Sequence, residues 1–128
     1  MFQVTAFYAA LLTFIYLFLT FRVIKFRRAN QVSMGDQGNN SLLKRMRAHA
    51  NFAEYAPIGL ILLGLTEASG APVVALHFLG GMLFLGRGFH AYGFSASPPI
   101  MRLRVWGMML TLTMLLISAI GLLLHTLF

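Results

Sequence analysis

The chain has 128 residues, enough for about one domain, of which 59% are hydrophobic and 10% charged, with a mean hydropathy of +0.78. A soluble domain of this size cannot hide that much apolar surface, so the composition calls for lipid as the solvent. The formal charge of +7 does not point to nucleic acid, because the basic residues gather at helix ends without aromatic interleaving, and the absence of cysteine excludes disulfides, thiolate metal sites and a cysteine nucleophile.

The first apolar run predicts a helix over about Val4 to Ile24. Met1-Phe2-Gln3-Val4 has neither a basic leader nor a small-residue cleavage site, so the run reads as a retained membrane helix. It ends among Arg22, Lys25, Arg27 and Arg28. Ala29 to Ser41 is polar, and Gly35, Asp36, Gly38, Asn39 and Asn40 predict turns there. Ser41 is the expected N-cap of a second helix over about 42–66, which carries Lys44, Arg45 and Arg47 and contains Pro57. That proline removes one backbone donor and crowds the carbonyl of Ala53, which predicts a bend. Ala68-Ser69-Gly70-Ala71-Pro72 predicts a tight turn that makes the second and third helices antiparallel neighbours. The third helix is expected over about 72–92, with Gly80, Gly81, Gly86 and Gly88 permitting close backbone approach. After a short loop over 93–99 comes a fourth helix over about 101–125. The expected fold class is all-α: a single transmembrane domain, residues 1–128, built as an antiparallel four-helix bundle.

All ten lysines and arginines (Arg22, Lys25, Arg27, Arg28, Lys44, Arg45, Arg47, Arg87, Arg102 and Arg104) fall near one end of such a bundle. By the positive-inside rule both termini lie outside the cytoplasm, with the long loop and the 93–99 loop inside. Orientation and lipid headgroup contact account for most of these cations.

The deeper polar residues need another account. Glu54 lies about ten residues, roughly 15 Å, into the second helix, where a carboxylate costs several kcal/mol unless paired or hydrated. Arg47, Asn51, Glu54 and Tyr55, at i, i+4, i+7 and i+8, form one polar stripe. Arg87 and His90 share a face of the third helix. The bland reading pairs Glu54 with Arg87 and Asn51 with His90 to hold the bundle together. Against it, several cations converge on one carboxylate, and positive potential left over in a low-dielectric cleft suggests an anionic ligand. His49 and Met46 project away from the stripe, and His77 and His125 lie towards the other end, so no metal site is expected.

The segment Arg47-Ala48-His49-Ala50-Asn51-Phe52-Ala53-Glu54-Tyr55-Ala56-Pro57 resembles the MAPEG family, the membrane-associated proteins in eicosanoid and glutathione metabolism. Its pattern there is Arg-Ala-x-x-Asn-x-x-Glu-x-x-Pro in a second transmembrane helix. Arg87 and His90 match an arginine followed three residues later by an aromatic or histidine, and an arginine opens the fourth helix as in the family. Gly35-Asp36 through Gly70-Ala71, Gly86-Arg87, His90 and Tyr92-Gly93-Phe94 are similar to small bacterial members that resemble microsomal glutathione transferase. The resemblance spans essentially the whole chain.

It implies a homotrimer in a membrane, here a bacterial inner membrane, binding glutathione as co-substrate between subunits near the cytoplasmic side. It further implies a thiolate used against lipophilic electrophiles or hydroperoxides that arrive from the bilayer. Arg47, Asn51, Glu54 and Tyr55 would contact the tripeptide, with Arg87 and His90 beside it. Arg102 and Arg104 project about 200° apart, and Arg104 is the one expected to face the sulfur as the catalytic residue. Phe94 departs from relatives that have tyrosine there, so Tyr92 is the only local substitute for its hydroxyl. The residues fit the ligand independently: two carboxylates suit arginine forks, an ammonium suits Glu54, and the missing cysteine is replaced by the ligand's own thiol. Two rivals stay open, a non-catalytic glutathione- or lipid-binding protein of the same fold, and a small drug/proton antiporter. Such antiporters resemble one another in a glutamate within the first helix, where this chain has no acid.

Overall fold

The computed structural model describes residues 1–128 and contains four α-helices and no strand: α1 (Gln3–Asn30), α2 (Asn40–Ala68), α3 (Val73–Ser95) and α4 (Met101–Leu127). Short links make consecutive helices antiparallel neighbours. α2 and α3 form the central diagonal, each packing on the other three helices, while α1 and α4 sit at opposite corners and do not meet.

Three helices outrun the apolar segments that announce them. α1 continues past Ile24 to Asn30, because leaving the hydrocarbon ends a span but not a helix. Termination comes only at Gln31, which turns left-handed (φ 54°) as the amide of Val32 bonds back to the Arg27 carbonyl at 3.0 Å. α2 starts earlier than Ser41 predicts: the Asn39 side chain is the cap, accepting from the amide of Leu42 at 3.0 Å, while Ser41 accepts from Arg45. α2 also runs unbroken through Pro57. α3 begins just after Pro72 and extends to Ser95, where Lys44 donates to the Ala96 carbonyl beyond its end.

Only 24 of the 128 residues are buried, chiefly leucines such as Leu12, Leu42, Leu63 and Leu83 along the helix contacts. Phe14, Phe18, Phe21, Phe78, Trp106 and Leu116 all stand exposed, an outer surface stable only against lipid. α1, α3 and α4 are each long and apolar enough to cross a membrane. The expectation of four equally apolar spans fails at α2. It has the length, 29 residues, but Lys44, Arg45, Arg47 and Glu54 interrupt its hydrophobicity, and its central place in the bundle supplies the burial instead.

Glycine sets the α3–α4 contact. A Cβ on Gly107 would lie 2.4 Å from the His90 amide nitrogen and 2.6 Å from the Gly86 carbonyl oxygen, so only glycine lets the two backbones touch. Of the four glycines expected to serve packing, Gly86 joins this contact and Gly80 lies under the Tyr8 ring. Gly81 and Gly88 have ordinary room around them.

Candidate functional site

The close approach at Gly107 brings α4 side chains against the most buried cation in the molecule. Arg87 is 1% exposed. Its Nε donates to Thr111 Oγ1 at 2.9 Å and its Nη1 to Asn51 Oδ1 at 2.6 Å, with the Asn51 carbonyl at 3.4 Å. Its Nη2 reaches Met108 Sδ at 3.7 Å, and its guanidinium carbon lies 5.2 Å from the centre of the Tyr55 ring. Thr111 gives its own proton to the Gly107 carbonyl at 2.9 Å, which leaves its lone pairs for Arg87. One guanidinium thus ties α2, α3 and α4 together through neutral acceptors and a π face, and no carboxylate neutralises it.

Glu54 faces elsewhere. Its partner is Arg47, at 3.9 Å, with both side chains about half exposed. This is the molecule's one ion pair, and the expected alternatives of Glu54 with Arg87 and Asn51 with His90 are not what forms. The stripe read from the sequence divides for a geometric reason. At about 100° per residue, Asn51 and Tyr55 lie roughly 40° and 80° to one side of Arg47, whereas Glu54 lies about 20° to the other. Asn51 and Tyr55 therefore turn in towards Arg87, while Arg47 and Glu54 stay on the outer surface.

At the basic end of α3, His90 is buried, with its ring 5.8 Å from that of Phe94. The Arg104 guanidinium lies over the same Phe94 ring at 4.1 Å. His90, Phe94 and Arg104 form a short stack beside the Arg87 network, and Arg102 is exposed on the far side of α4. Arg104 is thus the helix-four arginine turned towards α3. A phenylalanine at residue 94 offers it a π surface instead of a hydroxyl.

Three participants escape a reading of the sequence. Thr111 and Met108 complete the Arg87 shell, but Thr111 and the exposed Thr113 are equivalent in sequence, and only their phase relative to Gly107 separates them. Glu67, near the end of α2, accepts from the amides of Val4 and Thr5 at 3.0 and 2.8 Å and from the Thr5 hydroxyl at 2.6 Å. His49, expected to point away from the stripe, meets Thr20 of α1 at 3.1 Å and packs beside Tyr16.

Taken together, the buried half of this constellation is saturated and rigid, whereas the exposed half holds opposite charges loosely at the bundle surface. Known proteins extend the picture. The sequence matches the model of the MAPEG family over residues 5–124. It is 36% identical over 92 residues to "Inner membrane protein YecN" of Escherichia coli strain K12, covering 72% of this chain and 70% of that protein. The same figures hold for the YecN protein of E. coli O6:H1. No solved structure matches the chain. The family match runs along nearly the full length and agrees with a helical bundle whose outer surface requires lipid: the chain is an integral membrane protein and belongs to the MAPEG family.

Proposed function

We propose that this protein is a glutathione transferase, with glutathione peroxidase activity as a second outcome of the same chemistry, acting on lipophilic substrates in a homotrimer. The observation that carries the reading is the Arg47–Glu54 pair. A carboxylate and a guanidinium midway along a membrane helix, half exposed and 3.9 Å apart, are costly against lipid, about 3 kcal/mol per charge on insertion scales. A neighbouring subunit covering this face removes that cost, and a zwitterion between subunits exchanges the loose pair for two tighter ones. Glutathione has the matching ends: its ammonium suits Glu54, and its carboxylates suit Arg47.

In this reading Arg87 is a positioning residue. It is fully engaged within the protein and holds the Asn51 amide and the Tyr55 ring at the floor of the site. Arg104, resting on Phe94 beside the buried His90, favours the ionised form of a thiol brought near it. Glutathione supplies the nucleophile: its thiol proton passes to solvent, its sulfur bonds to the electrophilic carbon, and the leaving group departs with the bonding electrons. Apolar substrates reach the site through the bilayer. Family membership and the relatives named as inner membrane proteins support a bacterial inner membrane location. The ten cations at one end support both termini lying outside the cytoplasm, with the site near the cytoplasmic face.

The test is to titrate purified protein with glutathione while following the ultraviolet absorbance of a thiolate. Binding with thiolate formation is expected. Binding without it makes the protein a non-catalytic glutathione-binding member of the family, and no binding ends both readings. A cytoplasmic C-terminal reporter fusion would overturn the orientation.

A further inference from the structure

The proposed site leaves a second group of cations unused. Arg22, Lys25 and Arg28 on α1 and Arg45 on α2 gather at the basic end, on the side of the bundle away from α4. None meets a carboxylate, since the one ion pair is Arg47 with Glu54. Arg22, partly buried between α1 and α3, donates one nitrogen to Ser95 Oγ, and its other nitrogens have no acceptor in the chain. Lys25 and Arg28 make no hydrogen bond within the protein. Arg45 bonds Ser41 and lies over the Phe26 ring at 4.7 Å.

Arg22 is also a wall common to three openings. A cleft of about 330 Å³ is lined by Arg22, Lys25, Phe26 and Arg45. A second, of about 490 Å³, adds Arg28 beneath Phe18 and Phe21. The third, of about 680 Å³, is a furrow between α1 and α3 that leads away from the charges past Phe18, Ile15 and Ala91. Two basic clefts therefore adjoin an apolar furrow, and their chemistry is that of a charged headgroup joined to hydrocarbon. A free phosphate would satisfy the clefts but leave the furrow unfilled. A zwitterionic lipid would bring a second cation into a cluster that has no acid to receive it.

We propose that this corner is a binding site for an anionic phospholipid, with its phosphate held by Arg22, Lys25 and Arg45 and an acyl chain along the α1–α3 furrow. The site is separate from the Arg47–Glu54 surface and does not depend on the glutathione reading. A cation near the membrane surface contributes about 1 kcal/mol to anionic lipid attraction, so losing one from the site corresponds to roughly a fivefold weaker affinity.

Native mass spectrometry of the intact protein, released from detergent after addition of phosphatidylglycerol or phosphatidylcholine with matched acyl chains, tests this. Phosphatidylglycerol should be retained preferentially, and Arg22→Gln should weaken its retention about fivefold. Arg45→Gln serves the same purpose should Arg22→Gln fail to fold. Arg102→Gln, which removes an exposed cation from α4 at the same end, should leave retention unchanged. Equal retention of the two lipids, or equal loss in Arg102→Gln, would reduce the effect to general surface charge and overturn the proposal. Competition by millimolar inorganic phosphate that displaces the lipid completely would assign the clefts to a free anion and overturn it as well.

Discussion

α2 carries two glutamates in opposite circumstances. Glu67, at the end of the bundle that has no lysine or arginine, accepts three hydrogen bonds from Val4 and Thr5 and joins the end of α2 to the start of α1. Glu54, on the basic side of the same helix, has one partner, a half-exposed arginine 3.9 Å away. A carboxylate whose oxygens are taken up by backbone amides at a helix N-terminus is part of the architecture, because nothing else can satisfy those donors. One whose only neighbour is a loose surface cation is free to change partners. The difference divides the polar residues of this membrane protein into those that hold the bundle and those that meet a ligand.

The sharpest way to break that division is at Arg87, which it assigns to the architecture despite its place in the site. Arg87→Met keeps much of the volume but leaves Asn51 Oδ1 and Thr111 Oγ1 buried without their donor, at an expected cost of about 3 kcal/mol in stability. Unfolding in mixed micelles, followed by circular dichroism, checks this. A variant as stable as the parent would show that saturation is no guide to structural role. Arg104→Ala tests the other class. It should raise the pH at which bound glutathione ionises by about two units, equivalent to roughly 2.7 kcal/mol, and leave binding of S-alkylated glutathione nearly unchanged because that sulfur carries no charge. Arg47→Ala should weaken both ligands alike, since it removes a contact shared by ground and transition states. Arg102→Ala should affect neither. Were Arg102→Ala alone to abolish ionisation, the side of α4 that faces the thiol would be misassigned.

Glu54→Gln sharpens the comparison directly. The amide keeps the shape and loses the charge, so glutathione binding should weaken about tenfold, roughly 1.4 kcal/mol, with stability close to the parent's because exposed pairs contribute little. Isothermal titration beside an unfolding curve separates the two effects. Tight binding by a folded Glu54→Gln protein would remove Glu54 from the ligand site.

Helix number and order were legible in the sequence because lipid imposes a length and a polarity that few other environments share. Helix ends were not, since α1 continues through Lys25 to Asn30 after its apolar run stops and α2 takes Asn39 rather than Ser41 as its cap. In the constellation, the residue types and their common neighbourhood could be read, but the inward turn of Asn51 and Tyr55 could not. A stripe drawn at i, i+4, i+7 and i+8 spans about 100° of helix surface, and only the position of α3 decides where it divides. Thr111 stayed hidden for a related reason: its partner is Arg87, on another helix, and sequence spacing carries no phase between helices. Glu67 has no local pattern at all, because its acceptors serve amides at the start of the chain.

The smallest effect is expected at Glu67 itself. Glu67→Gln retains one acceptor oxygen but presents an NH2 group where the second oxygen met the Thr5 amide and hydroxyl, and it withdraws a negative charge from the N-terminus of α1. Lost caps and helix-terminal charges each cost about 1 kcal/mol or less, and the surviving oxygen can still serve Val4, so a total near 1 kcal/mol is expected. The loss should be local. Amide hydrogen exchange at Val4 and Thr5 should quicken, while Leu42, capped by Asn39 at the other end of α2, should keep its protection. Glutathione affinity should match the parent's, the reverse of the pattern expected for Glu54→Gln. If Glu67→Gln instead weakened glutathione binding as much as Glu54→Gln does, the two ends of α2 would be coupled, and the assignment of one carboxylate to the fold and the other to the ligand would fail.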